Sequence, residues 1–186
     1  MTPSASSSRI ASQLGLAERI FAGPRARRLI DGVEAGLDRV DANLERELHV
    51  SDALADATSR YLFDAGGKRV RPMLALLTAH LGDGVTEDVV EAATALELTH
   101  LGSLYHDDVM DDADKRRGVP SAHSVWGNNI AILTGDLLFA RASQIMARLG
   151  EGAIRLQANT FERLVLGQMH ETVGPTDADD RVAFYL

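Results

Sequence analysis

Thr86-Glu87-Asp88-Val89-Val90-Glu91-Ala92-Ala93-Thr94-Ala95-Leu96-Glu97-Leu98-Thr99-His100-Leu101-Gly102-Ser103-Leu104-Tyr105-His106-Asp107-Asp108-Val109-Met110-Asp111-Asp112 is the stretch on which the fold turns. It opens on a capping threonine followed by two acids, the chemistry of a helix N-terminus. Val89, Val90, Ala93, Leu96, Leu98, Leu101 and Leu104 then form a wide apolar face with few polar interruptions, which predicts a central, buried helix. Its C-terminal end runs against helix preference. Asp107, Asp108, Asp111, Asp112 and Asp114 crowd together before Lys115, Arg116, Arg117 and Gly118. If the segment up to Asp112 is helical, Asp107/Asp111 and Asp108/Asp112 repel as i,i+4 pairs by roughly 0.2–0.5 kcal/mol each. Aspartate is also a poor helix former, here at the negative end of the helix dipole. A hard cation reverses that balance, because Mg²⁺ binds through one or two carboxylates, waters and substrate phosphates. On spacing alone, a solvated acidic helix end and a metal site stand level.

Outward toward the N-terminus, Leu29, Val33, Leu37, Val40, Leu44 and Leu48 recur at helical spacing and predict a helix from about Arg25 to Leu48, slightly weakened by Gly32 and Gly36. Residues 1–25 read as a flexible arm, with a short helix on Ile10, Leu14 and Ile20 interrupted at Gly23-Pro24. Ser51-Asp52 caps a second helix that carries Leu54, Ala57, Tyr61 and Leu62 and stops at Gly66-Gly67. A third starts near Pro72 and continues through Leu81. Toward the C-terminus, a loop over about Ala113 to Pro120 precedes a short helical piece from His123 to Trp126, a long helix from about Asn128 to Leu149, and another from Ala153 to about Val173. Asp177 is placed to cap a last helix. No segment alternates with period two, so no sheet is expected. The fold class is all-α, an antiparallel helical bundle, with residues 26–186 forming its domain.

A net charge of −8 argues against a general nucleic-acid binder, so any polyanion must be caught locally. With no cysteine, disulfides and thiolate metal sites are excluded. Neither a signal peptide nor a transmembrane span is read, which makes the cytoplasm the default. Gly66-Gly67-Lys68-Arg69-Val70-Arg71-Pro72 places three cations beside flexible glycines and a helix start, a good setting for phosphate. It is not a P-loop, which needs glycine at Leu62 and a hydroxyl at Arg69. Nor is the aspartate stretch an EF-hand, since Arg117 stands where that loop needs glycine. Taken together, the acids and the cations suggest a site for two anions, one held through metal and one through direct cationic contacts.

That combination resembles the trans-prenyltransferases, the polyprenyl diphosphate synthase family. The resemblance rests on Gly66 to Pro72, Glu97-Leu98-Thr99-His100, Asp107-Asp108-Val109-Met110-Asp111 with its trailing Arg116-Arg117-Gly118, and Gly167-Gln168, in that order. It implies an isoprenoid-synthase type of bundle, active as a homodimer or a heteromer. The implied reaction is head-to-tail condensation of isopentenyl diphosphate with an allylic diphosphate through an allylic carbocation, assisted by Mg²⁺. At matching positions, Asp107 and Asp111 are the implied Mg²⁺ ligands, supported by Asp108 as the third catalytic aspartate. Lys68, Arg71, His100 and Arg117 are implied to hold isopentenyl diphosphate, and Arg116 the allylic diphosphate. Gln168 matches the family's glutamine on the facing helix, and Glu171 sits where some members place another metal-side carboxylate.

Gly102 and Ser103, one turn before Asp107, are the expected floor for the growing chain. Both are small, which points to a product longer than C15. His106 lies off the Asp107/Asp111 face and is expected to pack or to support a ligand from behind. His49, His80, His123 and His170 are expected at the surface or in packing, Phe139 and Trp126 in the core, and Asp112 and Asp114 in solvent. The family's second aspartate-rich motif and its lysine-threonine pair are not found, since Asp177-Ala178-Asp179-Asp180 does not match. The chain therefore reads as the N-terminal part of a synthase, with C-terminal helices missing and little turnover expected of it alone. Three rivals remain: a regulatory subunit of a heteromeric synthase, a class I terpene cyclase, against which Gly66 to Pro72 argues, and a plain helical bundle with an acidic loop.

Overall fold

The computed structural model describes residues 23–176 and 180–185. Helix α1 (Pro24–Leu48) buries Val33, Leu37, Val40, Leu44 and Leu48 completely, which is the face its periodicity marked. Helix α2 (Ala53–Asp64) is capped by the Asp52 carboxylate, which accepts the Leu54 and Ala55 N–H groups at 3.0 and 2.9 Å. Helix α3 (Val70–Ala79) starts two residues ahead of Pro72, whose missing N–H falls in the first turn and costs no helical bond. It stops at Ala79 rather than Leu81, and Leu81 is 90% exposed. The short helix expected on Ile10, Leu14 and Ile20 lies outside the described residues.

Helix α4 (Glu87–Met110) is capped as expected, with the Thr86 hydroxyl accepting the Val89 N–H at 3.3 Å. Its C-terminus leads into a small hairpin, β1 (Lys115–Arg116) and β2 (Val119–Pro120), paired antiparallel through Lys115/Pro120 and Arg116/Val119. This corrects the expectation of an unstructured loop and no sheet. Strands of two residues are too short to display an alternation, but the turn has its own signature: Arg117 and Gly118 both have positive φ, 53° and 83°, as a tight two-residue hairpin turn requires. Helices α5 (Ala122–Trp126), α6 (Asn128–Arg148), α7 (Glu151–Val173) and α8 (Arg181–Tyr185) complete the chain. Asp180 caps α8, accepting the Val182 and Ala183 N–H groups at 2.9 and 3.3 Å, while the expected cap Asp177 lies outside the described residues.

Helix α4 is the hub. It packs against α1, α3 and, most extensively, α6, around a core that includes Leu62, Met73, Leu98, Leu101, Tyr105 and Leu138. The α4/α6 crossing is tight because a glycine stands on each side. A Cβ at Gly102 would sit 3.0 Å from the Gly135 carbonyl oxygen, and one at Gly135 would sit 2.4 Å from the His106 ring and 3.0 Å from the Gly102 carbonyl. Helix α6 is also the one described segment long and apolar enough to cross a membrane, but Ala131, Leu138, Ala142 and Ile145 are buried against neighbouring helices. Helix α7 leans on α6, and none of its residues is buried. Gly167 on α7 has open space where a side chain would go.

Two substitutions should therefore move stability in opposite directions. Gly135→Ala forces backbone or His106 to shift and is expected to lower unfolding free energy by about 1–3 kcal/mol in urea titration. Gly167→Ala fills open space on an exposed helix and should raise it by about 0.4–1 kcal/mol.

Candidate active site

A cavity of about 970 Å³ opens between the C-terminal half of α4 and helices α6 and α7. Thr99, Ser103 and Asp107 repeat every four residues on the α4 side, and Phe161, Val165 and Gln168 face it from α7. Leu96, expected in the core, is 41% exposed and lines this cavity instead. Phe139, also expected in the core, lines it between the His106 ring at 5.3 Å and the Phe161 ring at 4.6 Å. Trp126 packs edge-on against Tyr61 at 4.8 Å. Ser103 reaches the cavity, but Gly102 does not. It is a buried contact point with α6, so it is no part of a floor.

The three candidate aspartates have different surroundings. Asp107 is half-buried and lines the cavity; burial first, and then the Asp111 charge, hold its carboxyl above the usual carboxylate range. Asp111 ends α4 as its C-cap, exposed, and lines a smaller depression with Gln168 and Glu171. Asp108, rotated by one residue, turns into the protein and has no exposure. Its Oδ1 accepts Nε of Arg116 at 2.6 Å and forms an ion pair with Nη2 at the same distance, and its Oδ2 is buried without a partner. Asp112 sits in the left-handed conformation (φ 49°) just beyond the helix and is fully exposed, and Asp114 is exposed as expected.

Asp107 and Asp111 fit a hard divalent cation. Both donors are carboxylates on neighbouring turns, and a cation between them relieves the repulsion that burdens Asp107. Among the described residues no group of three or more His, Cys, Asp or Glu could hold a metal. A pair of carboxylates suits a hard divalent cation that takes water and ligand oxygens for the rest of its shell.

Lys68 and Arg71 are exposed at the start of α3, and Arg71 lines the cavity. Arg117, half-buried, instead turns its Nη1 to the C-terminal end of α2, donating to the Leu62 carbonyl at 2.6 Å and to that of Gly66. Gly67 leaves room for this, since a Cβ there would lie 2.9 Å from the Arg117 guanidinium. His100 lines the cavity among these cations; burial first, then Arg71, Arg117 and Arg116, push its imidazole down to about 4, so it is neutral at pH 7. His106, expected off the Asp107/Asp111 face, also lines the cavity beside Asp107, with Nε2 3.0 Å from the Ile132 carbonyl and 3.4 Å from the Asp136 carboxylate. Of the remaining histidines, His49 bonds the Asp56 carboxylate at 2.8 Å and His123 has its Nδ1 buried without a partner. The cavity's apolar wall on α7 escaped sequence reasoning because those side chains look like ordinary core positions of an amphipathic helix.

The Polyprenyl synthetase family model matches residues 52–186. Nonaprenyl diphosphate synthase from Mycobacterium tuberculosis is 48% identical over 155 residues, which cover 83% of this chain and 46% of that protein. Heptaprenyl diphosphate synthase component 2 from Geobacillus stearothermophilus is 39% identical over 81% of this chain and 47% of that protein. Among solved structures, geranylgeranyl pyrophosphate synthase from Corynebacterium glutamicum, complexed with calcium and isoprenyl diphosphate, superposes with a TM-score of 0.75 at 42% identity, covering 89% of this chain and 49% of that one. The chain spans about half the length of the relatives it matches. With most of its length matched by the family model, and with the helical fold of the solved relatives, it belongs to the polyprenyl synthetase family.

Proposed function

We propose that this chain forms the part of a cytoplasmic polyprenyl diphosphate synthase that gathers isopentenyl diphosphate, an allylic diphosphate and Mg²⁺ for head-to-tail condensation. One observation carries the reading: a cavity walled largely by apolar side chains also includes Arg71, His100, Asp107 and Gln168 in its lining. Such a space suits a ligand with a long hydrocarbon tail and an anionic head. The calcium and isoprenyl diphosphate bound by the Corynebacterium glutamicum relative support a divalent cation beside a diphosphate.

In this reading Lys68 and Arg71 hold isopentenyl diphosphate together with the first N–H groups of α3. His100, uncharged, adds a hydrogen bond. Arg117, with Nη1 engaged by the α2 carbonyls, offers its remaining donors to the same anion. Arg116 is braced against Asp108 and meets the allylic diphosphate with its outer edge, which makes Asp108 a support for the arginine rather than a metal ligand. Asp107 and Asp111 would hold Mg²⁺, with Gln168 and Glu171 beside them, and the bound ion would neutralise the departing diphosphate. The apolar wall excludes water from the allylic cation while the isopentenyl double bond attacks it, and the resulting cation then loses a proton to the departed diphosphate. Ser103, the small residue on the cavity side of α4, supports a product longer than C15. The complete enzyme works as a homodimer in this reading. The relatives named component 2 favour a second one, in which this chain pairs with a different subunit. Mixing experiments scored by sedimentation separate the two.

Calorimetric titration of the chain with isopentenyl diphosphate tests the cradle: Arg71→Gln should weaken binding by about tenfold to a hundredfold, the weight of a charge-assisted contact. An unchanged affinity would remove Arg71 from the site. The His100 imidazole offers a second check by NMR titration. Free, it should titrate near 4, so its contribution to stability is complete above pH 6.5 and is lost as the pH falls from 6.5 toward 4. An added diphosphate favours the charged ring and should raise that value, and a value that stays put places the anion elsewhere. For chain length, affinities of geranyl, farnesyl and geranylgeranyl diphosphate should fall with tail length in Ser103→Phe but not in the parent chain, read in the same calorimeter.

A further inference from the structure

Of the cations in the Gly66–Pro72 stretch, Lys68 and Arg71 are exposed, but Arg69 is only 6% exposed. Its Nε donates to the Asp41 carboxylate at 2.8 Å, its Nη1 lies 3.4 Å from the Glu97 carboxylate, and its guanidinium carbon stands 4.9 Å from the centre of the Phe63 ring. Asp41 belongs to α1, Phe63 to α2 and Glu97 to α4, while Arg69 itself precedes α3. One planar group thus ties together four helices. Glu97 is 2% exposed, so the pair is desolvated and removing Arg69 would leave the Glu97 carboxylate buried without this partner.

The backbone at the same residue is unusual. Arg69 has φ 49° and ψ 35°, the left-handed region that an L side chain occupies only when its surroundings hold it there. Gly66 and Gly67 ahead of it also have positive φ, and a Cβ at Gly67 would approach the Arg69 Nη1 to 2.6 Å. The turn and the anchored guanidinium therefore require each other. A lysine at this position would keep the charge but could neither fork between two carboxylates nor lay a planar face on Phe63.

We propose that Arg69 is a positioning residue: fixed by Asp41, Glu97 and Phe63, it locks the Gly66–Pro72 turn so that Lys68 and Arg71 face an anion that Arg69 itself never touches. This rests on reading the turn as part of the diphosphate cradle. Two measurements on the full chain test it, with Lys68→Gln as a direct-contact control. In Arg69→Lys, amide exchange over residues 66–70 should quicken by about tenfold while α1 and α4 keep their protection, and isopentenyl diphosphate affinity should fall by about tenfold with its salt dependence unchanged. Lys68→Gln should instead lower both affinity and salt dependence and leave the exchange alone. Asp41→Asn, which removes the more exposed anchor, should quicken exchange in the same segment. Unchanged exchange in Arg69→Lys overturns the proposal, as does a salt dependence reduced as far as in Lys68→Gln or a loss of protection throughout the chain. If the parent chain binds no isopentenyl diphosphate, the cradle reading fails, and exchange still decides whether Arg69 locks the turn.

Discussion

The ion pair between Asp108 and Arg116 is the contact on which the arrangement of the cations depends. A carboxylate with no solvent exposure is tolerable only with its partner in place, and removing one member of such a pair typically costs about 3–5 kcal/mol. Because Asp108 sits in the last turns of α4, the pair fixes where the hairpin leaves that helix. The hairpin turn in turn aims Arg117 at the carbonyls that end α2, and α2 runs directly into the Gly66–Pro72 turn. At the far side of the same turn, Glu97 holds Arg69. Glu97 and Asp108 are three helical turns apart on α4, so one rigid element orients both cationic segments by a buried carboxylate each.

Neighbouring residues of α4 consequently do different work. A step of one residue rotates a side chain by about 100°, which is enough to send Asp107 into the cavity and Asp108 into the interior. The same rotation separates Gly102, at the crossing with α6, from Ser103, at the cavity wall. Within the acidic stretch, exposure, and with it electrostatic character, is set residue by residue. Burial and the Asp111 charge hold the Asp107 carboxyl above the usual carboxylate range, while Asp112 is in water.

What the sequence made legible was whatever local chemistry determines. Asp52 and Thr86 declared their helices through capping, and the period of α1 marked its buried face correctly to its last turn. The hairpin was hidden because two residues per strand cannot show a period, although an Arg-Gly pair between strands is a recognisable turn. Leu96 and Phe139 were read as core because an apolar side chain facing an apolar cavity has the same signature as one facing a neighbouring helix. Gly102 was misplaced for a related reason: its small size serves close backbone approach to Gly135, a tertiary fact that no local pattern carries. The candidate acids and cations were visible as types and spacings. Which of them are buried in pairs is a tertiary fact: Arg69 meets Asp41 and Glu97 from distant helices, and Asp108 meets Arg116 only because the hairpin folds back on its helix.

Helix α7 supplies much of one wall of the cavity while contributing no buried residue to the core. Substitutions at such exposed positions usually change stability by no more than about 0.5 kcal/mol. The α7 face that lines the cavity is therefore largely uncoupled from the surface that holds the described fold together. Within this chain, substitutions along α7 can reshape the width and depth of the cavity at little cost in stability.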